Sequence, residues 1–197
     1  EALIDLDKAL LANPRDVDAF VYRGGRDLTG YEDGTENPTG LDALAAAFVQ
    51  GEGPGLDGGS FVAVQLWVHD LERFSSFDPQ RRDHMIGRRI SDNEELDDAP
   101  ASAHVKRTAQ EDFEPEAFVV RRSMPFKDRH AQGLNFVAFG KSFDAFEAQM
   151  HRMSGAEDGT RDALFEFSHP ESTAYFWCPP VDERGRLDLG QLGLGES

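Results

Sequence analysis

The stretch "SFVAVQLWVHDL" at residues 60–71 most constrains what this chain can fold into. An extended segment points alternate side chains to opposite faces, and the apolar residues here fall on both faces. Val, Phe and Trp also favour strands. The apolar positions are Phe61, Val62, Val64, Leu66, Trp67 and Val68. Because both faces must be covered, this strand is predicted to lie centrally in a sheet.

Further strands and helices follow from the same periodicity argument. Strands are predicted at 17–25, 103–109, 117–126, 133–140 and 173–180. Helices are predicted at 1–13, 41–50, 74–87 and 143–154, with Asp78-Pro79 as a helix start, Ser142 as a cap and Gly155 as a stop. Strands and helices in this order, without regular alternation, favour an α+β fold, with a ferredoxin-like antiparallel sheet and helices packed on one face.

Charge and cysteine content exclude several classes of partner. The 197 residues carry 20 Lys and Arg against 37 Asp and Glu, a formal charge of -17, which repels nucleic acid and anionic membranes. Cys178 is the only cysteine, so no internal disulfide forms, and no apolar run reaches the roughly 20 residues of a membrane span. A cytoplasmic location is expected. The first predicted helix has nothing before it to pack against, so upstream sequence is expected to be missing.

The loop "GRDLTGYEDGTENPTG" at residues 25–40 concentrates carboxylates in a backbone rich in glycine. One interpretation is a calcium-binding module that uses these oxygens. The loop lacks the D-x-[DN]-x-[DN]-G-x5-E order of a calcium-binding hand, and this interpretation assigns no role to the histidine and arginine discussed next. The absence of HExxH spacing and of a second cysteine argues against a zinc site.

His104 has the most suggestive setting of the six histidines. It follows the small residues "APASA" and begins a predicted strand, which leaves room for a large planar ligand, and one histidine suffices to hold a haem iron. His69, at the end of the central strand, is expected to bond to local backbone. The other four are expected to be solvated.

One arginine of "VVRRSMPF" must point toward the core. Strand alternation places Arg121 and Ser123 on one face and Arg122 on the other. A buried guanidinium needs a carboxylate or an anionic ligand. An internal ion pair, with Asp33 for example, and a functional role both remain open at this point.

Taken in order, "GYEDGTENP" (30–38), "AHVKR" (103–107) and "RRSMPF" (121–126) resemble the signatures of the dye-decolourising peroxidases, in particular the bacterial class B. The spacings of 71 residues from Asp33 to His104 and 17 more to Arg121 are also similar. The resemblance covers residues 20–155. It implies the second half of a fold with two ferredoxin-like halves. Residues 1–15 would end the first half, residues 16–180 would form the haem-binding domain, and residues 181–197 would be a flexible tail.

The resemblance also implies roles for individual residues. Asp33 and Arg121 would be the distal acid and arginine, Ser123 a polar residue beside them, and His104 the iron ligand on the opposite face of haem b. Further candidates are Glu36, Asn37 and Arg88 for the haem edge and propionates, and Phe136 for a dry pocket. Asp144 or Glu147 could accept a hydrogen bond from His104. Arg122 is expected to face outward.

The function implied is a haem-dependent peroxidase that reduces hydrogen peroxide and oxidises dyes or other organic donors through a ferryl intermediate. An aspartate as base predicts an acidic optimum. The alternative is a non-catalytic haem-binding or haem-iron-releasing protein of the same fold. The resemblance also implies a homo-oligomer and an encapsulating shell protein as a partner through the C-terminal tail. Electrons from bulky donors would travel through the protein, and the candidate relay residues are Tyr31, Trp67, Tyr175 and Trp177.

Overall fold

The computed structural model describes residues 18–19 and 22–189. The predicted helix at 1–13 and the end of the predicted tail, 190–197, lie outside the described residues. Within them, six strands form one antiparallel sheet: β1 (Asp18–Ala19), β2 (Ser60–His69), β3 (Val120–Arg121), β4 (Met124–Lys127), β5 (Gln132–Gly140) and β6 (Ser168–Cys178).

The sheet order is β1-β4-β5-β2-β6, so β2 lies between β5 and β6 as its apolar faces predict. β3 pairs with β5 beside β4, and both strands keep one register along β5, from Val120 opposite Phe139 to Lys127 opposite Gln132. They are therefore two pieces of one extended segment. The predicted strand 117–126 is confirmed in place, and between β3 and β4 the N–H of Arg122 still donates to the carbonyl of Val137 on β5.

Five helices surround this sheet in the described residues. They are α1 (Gly40–Ala47), α2 (Leu71–Ser76), α3 (Pro79–Ile86), α4 (His104–Arg107) and α5 (Asp144–Ser154), with 3-10 turns at Gln110–Asp112 and Ala163–Glu166. The antiparallel α+β fold is thus confirmed. None of these helices is long and apolar enough to cross a membrane.

The predicted helix 74–87 is in fact two helices. Asp78 accepts a hydrogen bond from the backbone of Arg81 and Pro79 occupies the first turn of α3, so the chain restarts there instead of continuing from α2. α5 begins at Asp144, one residue later than predicted, and Ser142 accepts a hydrogen bond from the backbone of Asp144 at 3.2 Å. Gly155 ends α5 in the left-handed conformation, as predicted.

The predicted strand 103–109 is wrong, because His104 begins a short helix. The backbone N–H groups of Arg107 and Thr108 donate to the carbonyls four residues earlier. Tertiary contacts favour this turn: the buried guanidinium of Arg107 donates to Asp158 and to the carbonyl of Arg152. A strand would point alternate residues of "HVKR" to opposite sides and could not make these contacts.

The two faces of the sheet carry different partners. On one face, Ala63, Val119 and Ala138 pack against Phe146 of α5. On the other, Val120 and Phe139 contact Ala46 and neighbouring residues of α1. α1 therefore covers one end of the second face, while the helices that follow β2 enclose the first. The functional candidates lie on this first face.

Candidate functional site

A pocket opens between the first face of the sheet, α5 and the 25–40 loop. Its volume is about 820 Å³ measured out to its open mouth, and its lining includes Asp33, His104, Arg121, Phe136 and Met150. A second recess of about 650 Å³ adjoins it and shares the first three of these residues. Residues far apart in sequence, on a loop, a helix and a strand, therefore face one space.

His104 stands at the start of α4 and is held there by Asp162. Its Nδ1 lies 2.8 Å from Oδ2 of Asp162, whose side chain is fully buried. Because a carboxylate only accepts, Nδ1 must carry the proton and donate it. Nε2 makes no hydrogen bond to any described residue. His104 itself lines the pocket, so this second ring nitrogen is available to a ligand there.

Asp162 was not found by sequence reasoning, which named Asp144 or Glu147 as the acceptor. That expectation is wrong. Asp144 bonds to the hydroxyl of Ser142 on the exposed start of α5. Glu147 interacts with Tyr175 instead of His104: partial burial of the phenol, together with the charge of and a hydrogen bond to Glu147, raises the pKa of Tyr175. Asp162 lies 58 residues after His104 and also caps a 3-10 turn through the N–H of Leu164. The sequence around Asp162 indicates only the local cap, and does not reveal that the same side chain also bonds to His104.

Asp33 and Arg121 form an acid–guanidinium pair at the pocket. Asp33 Oδ1 and Arg121 Nη1 are 3.9 Å apart, at the limit for an ion pair. The buried Nε of Arg121 has no hydrogen-bond partner among the described residues. The prediction that one arginine of this strand faces inward is confirmed. Arg121 lies beside Asp33, the carboxylate that the sequence analysis named as a possible partner, and its Nε is still available as a donor.

Asn37 holds the backbone of Arg121 in the manner of a neighbouring strand. Its side-chain carbonyl accepts from the N–H of Arg121 at 2.7 Å, and its amide donates to the C=O of the same residue at 3.0 Å. Gly34 permits this approach: its φ is +74°, and an added Cβ would stand 2.9 Å from Nδ2 of Asn37. The amide of this predicted cofactor residue is therefore engaged in positioning Arg121.

Glu36 and Arg88 meet at the rim of the adjoining recess. Nη2 of Arg88 is 2.5 Å from Glu36 and 3.4 Å from Glu95, and its Nη1 donates to the carbonyl of Asn93. Both predicted residues line this recess. The pair offers a guanidinium at the edge of the site, already partly neutralised by two exposed carboxylates.

Phe136 and Ser123 differ in how closely they approach the pocket. Phe136 lines it and packs near Phe146, with ring centroids 6.3 Å apart. Ser123 does not line it, although its buried hydroxyl has no partner among the described residues. Arg122 is exposed and donates to the carbonyl of Arg121, as its predicted outward orientation requires.

A hydrogen-bonded network of Asp27, His69 and Ser168 forms another part of the pocket region. His69 Nε2 lies 3.1 Å from Asp27 and Nδ1 lies 2.6 Å from the hydroxyl of Ser168. Burial opposes ionisation of Asp27, but hydrogen bonds from His69 and Thr29 outweigh it and lower the pKa of this carboxyl. The expectation that His69 bonds to local backbone is therefore wrong, because both ring nitrogens have side-chain partners.

The part of the chain that the structure describes contains no group of three His, Cys, Asp or Glu side chains arranged to hold a metal ion. The calcium interpretation of the 25–40 loop gains no support from this geometry. Asp27 and Glu32 of that loop bond instead to His69 and Arg26.

The chain is similar to known proteins over most of its length. A sequence model of the family described as Dyp-type peroxidase, C-terminal, matches residues 24–183. A dye-decolorizing peroxidase of Rhodococcus erythropolis is 33% identical over 173 residues, which cover 85% of this chain and 51% of the relative. One of Mycobacterium tuberculosis is 32% identical, covering 85% of this chain and 52% of that protein. The chain spans about half the length of the curated relatives it matches.

Solved structures are similar over most of the described fold. A dye-decolorizing protein from V. cholerae superposes with a TM-score of 0.78 at 31% identity, covering 90% of this chain and 62% of that one. A DypB variant of Rhodococcus jostii RHA1 in complex with heme gives 0.79 at 28% identity, covering 90% and 61%.

Proposed function

This chain belongs to the Dyp-type peroxidase family, and from that premise we propose that it binds haem b and reduces hydrogen peroxide while oxidising organic donors such as dyes. One observation carries the proposal. A histidine whose proton is fixed by a buried carboxylate shares a pocket with an acid–arginine pair. The structural relative in complex with heme supports the choice of cofactor.

The residues of the pocket fit a haem. His104 Nε2 would bind the iron, since Asp162 holds the other ring nitrogen and increases electron donation by the imidazole. Phe136, Phe146 and Met150 supply apolar walls. The unpartnered Nε of Arg121 is a buried donor that an anionic ligand would satisfy. Arg88 is the candidate for a propionate. A bound haem would supply the redox centre that peroxide oxidises and donors reduce.

Asp33 and Arg121 would act on peroxide itself. Cleaving the O–O bond heterolytically requires that a proton leave one oxygen and reach the other, so a base must lie within hydrogen-bond reach of both. Asp33, an ionisable carboxylate with partial exposure, would move this proton. The guanidinium of Arg121 would stabilise the negative charge that develops on the departing oxygen. Asn37 would keep Arg121 in position through the two hydrogen bonds to its backbone.

The test separates an enzyme from a haem carrier of the same fold. Haem binding is titrated by visible absorption, and peroxide-driven oxidation of a dye is then measured for the wild type, Asp33→Asn with Arg121→Leu, and His104→Ala. We expect the double variant to bind haem as tightly as the wild type but to lose turnover by at least about 100-fold, the scale of one proton-transfer catalyst.

His104→Ala should change or abolish the haem absorption band. Unchanged turnover in the double variant would reject the roles given to Asp33 and Arg121. A normal band in His104→Ala would reject the assigned iron ligand. Haem binding without peroxide turnover in the wild type would favour the non-catalytic alternative.

A further inference from the structure

Gln110 is a buried glutamine between the loop that carries Asp33 and the strand that carries Arg121. It is 3% exposed and lies in the 3-10 turn that follows α4. Glutamine usually stays at the surface, and burying its amide is costly unless both donor and acceptor are bonded. The roles given above to the pocket residues make no use of this side chain, so its burial calls for a separate explanation.

The side-chain amide of Gln110 connects the loop to the strand. Its Nε2 donates to the carbonyl of Glu36 at 2.8 Å, and its Oε1 accepts from the backbone N–H of Val119 at 2.9 Å. Its own backbone carbonyl accepts from the N–H of Ala117 at 2.8 Å. A carbonyl only accepts and a backbone N–H only donates, so one of the two orientations of this amide satisfies both partners and the other satisfies neither. The orientation of Gln110 is therefore fixed.

The turn at residues 34–37 is held by two side-chain amides. Its third residue is bonded to Gln110, and its fourth, Asn37, bonds to the N–H and C=O of Arg121. A hydrogen bond of 3.2 Å between the fourth and first residues closes the turn. Asp33 immediately precedes this turn. The two amides therefore set the position of the Asp33 backbone relative to the strand that carries Arg121.

The side chains of Asp33 and Arg121 would come closer together without these contacts. A carboxylate and a guanidinium attract each other, and the attraction grows as they approach. The structure holds them 3.9 Å apart, beyond the roughly 2.8 Å of a charge-assisted hydrogen bond. A direct bidentate pair would occupy the carboxylate oxygens that must accept a proton from peroxide and the N–H groups that must stabilise charge. The wider spacing keeps both groups available.

We propose that Gln110 is a positioning residue that holds Asp33 and Arg121 at this separation. This inference rests on the proposed function, in which these two residues act on peroxide. Gln110 acts through them and makes no contact with peroxide in this scheme. It follows α4, which carries His104, but that histidine is oriented by Asp162. Loss of the Gln110 amide should therefore disturb the acid–arginine pair and spare the iron ligand.

Gln110→Met tests this role with a side chain of similar length that has no amide. The carbonyl of Glu36 and the N–H of Val119 both lose their partner. We expect unchanged haem affinity and an unchanged kcat/KM for the dye. The kcat/KM for peroxide should fall by about 10- to 100-fold, the scale of a small misplacement of reacting groups. Thermal unfolding and a haem titration check that the variant is folded and loaded.

Cyanide binding adds a readout that does not depend on turnover. Hydrogen cyanide binds haem iron as the anion, so its proton must pass to a base, and a nearby guanidinium stabilises the bound anion. Its dissociation constant, measured from haem absorption, should rise by about 10-fold in Gln110→Met. Ser60→Ala is the control for lost stability, because it removes a buried hydrogen bond to the carbonyl of Ala47 and Ser60 lines neither the pocket nor the adjoining recess. It should leave cyanide and peroxide constants unchanged.

Gln110→Glu tests the two hydrogen bonds with a side chain of nearly the same shape. As a carboxylic acid it can donate to the carbonyl of Glu36 and accept from the N–H of Val119. As a carboxylate it can only accept. Burial favours the neutral acid and so does low pH. Peroxide reactivity relative to the wild type should therefore recover as the pH is lowered from about 8 to about 5, while the deficit of Gln110→Met should not change.

The outcomes separate the two proposals. Peroxide and cyanide constants equal to those of the wild type in folded, haem-loaded Gln110→Met would overturn the positioning role alone, as would equal losses in Ser60→Ala. If Gln110→Met does not fold, Gln110→Glu decides, and a deficit independent of pH would overturn the role. A folded wild type whose haem band does not respond to peroxide would overturn the proposed function, and this inference would fall with it.

Discussion

At the scale of single residues, the contacts of Asp162 determine which nitrogen His104 offers. One carboxylate oxygen accepts from His104 Nδ1 and the other from the N–H of Leu164, both at 2.8 Å. Burying a carboxylate is costly unless both oxygens are bonded. Asp162 meets that condition, so the imidazole has one orientation and one tautomer.

Asp162→Asn should weaken haem binding or turnover by about 10- to 100-fold, the usual effect of losing the acceptor behind a ligating histidine. The amide is neutral and polarises the imidazole less, so the reduction potential of the bound iron should also rise. A haem titration and a spectroelectrochemical titration measure the two effects. Glu166→Gln, an exposed acid nearby, is the control. Equal potentials in both variants would contradict the role of Asp162.

Asp27→Asn should lower the free energy of unfolding by about 2 kcal/mol near neutral pH, the scale of hydrogen bonds to a charged group. Because the folded-state pKa of Asp27 is depressed, its contribution is present above the unfolded pKa of about 3.9 and is lost as pH falls through the folded value. The wild-type and variant curves should therefore converge in acid. Urea unfolding at several pH values measures this, with exposed Glu72→Gln as control. If the difference in unfolding free energy between the wild type and Asp27→Asn grew as the pH fell, the stabilising role given to ionised Asp27 would be rejected.

Individual site residues were predictable where a local pattern marks them. Strand alternation required one inward-facing arginine in the 117–126 segment, and the family resemblance assigned that position to Arg121 and the distal acid to Asp33. Asp162 and the Asp27–His69 pair were missed, since each joins residues tens of positions apart and neither has a distinctive local spacing. Asn37 was found, but its two bonds to the backbone of Arg121 depend on a loop conformation that the sequence does not determine.

At the scale of elements, the end of α3 sets the position of α4. Gly87 closes α3 with φ near +93°, and an added Cβ would lie 2.3 Å from Cγ2 of Val105, the neighbour of His104. Because Gly87 has no side chain, Val105 of α4 can pack directly against the end of α3.

Gly87→Ala should therefore cost about 1–2 kcal/mol for the left-handed backbone and a further 1–3 kcal/mol for the clash. It should also weaken haem binding, because α4 carries His104. Gly159→Ala separates the two effects: φ there is +80° but nothing lies within 4 Å of the added Cβ. Chemical denaturation and haem titration measure both. Equal losses in the two variants would show that the contact with Val105 does not matter.

Elements with a strong apolar periodicity or with clear start and stop residues were predicted well, as β2, β5 and α1 show. The 103–109 segment was not, because four helical residues are too few to establish a period and the contacts of Arg107 and His104 determine the turn. Strand β6 is longer than predicted because it begins at Ser168, where polar residues and Pro170 give no strand signal.

At the scale of the whole molecule, the sheet order explains how the site is assembled. β2 is central, so its alternate residues Gln65, Trp67 and His69 form the pocket floor, while segments before and after it supply the walls. The apolar run at 60–71 was sufficient to place β2. The pairing of β5 and β6 on either side of it depends on long-range register, which no local window contains.

The net charge of the molecule should control which dyes it oxidises efficiently. A chain with formal charge -17 attracts cationic donors and repels anionic ones, and this field is screened as the Debye length falls from about 30 Å at 0.01 M salt to about 8 Å at 0.15 M. Over that range, kcat/KM for a cationic dye should fall and that for a sulfonated dye should rise, while an uncharged phenol should change little. Steady-state kinetics of the haem-loaded protein with these three donors measures the slopes. If kcat/KM changed in the same direction with salt for all three donors, salt would be acting on the protein itself, and the net charge would not determine which donors react.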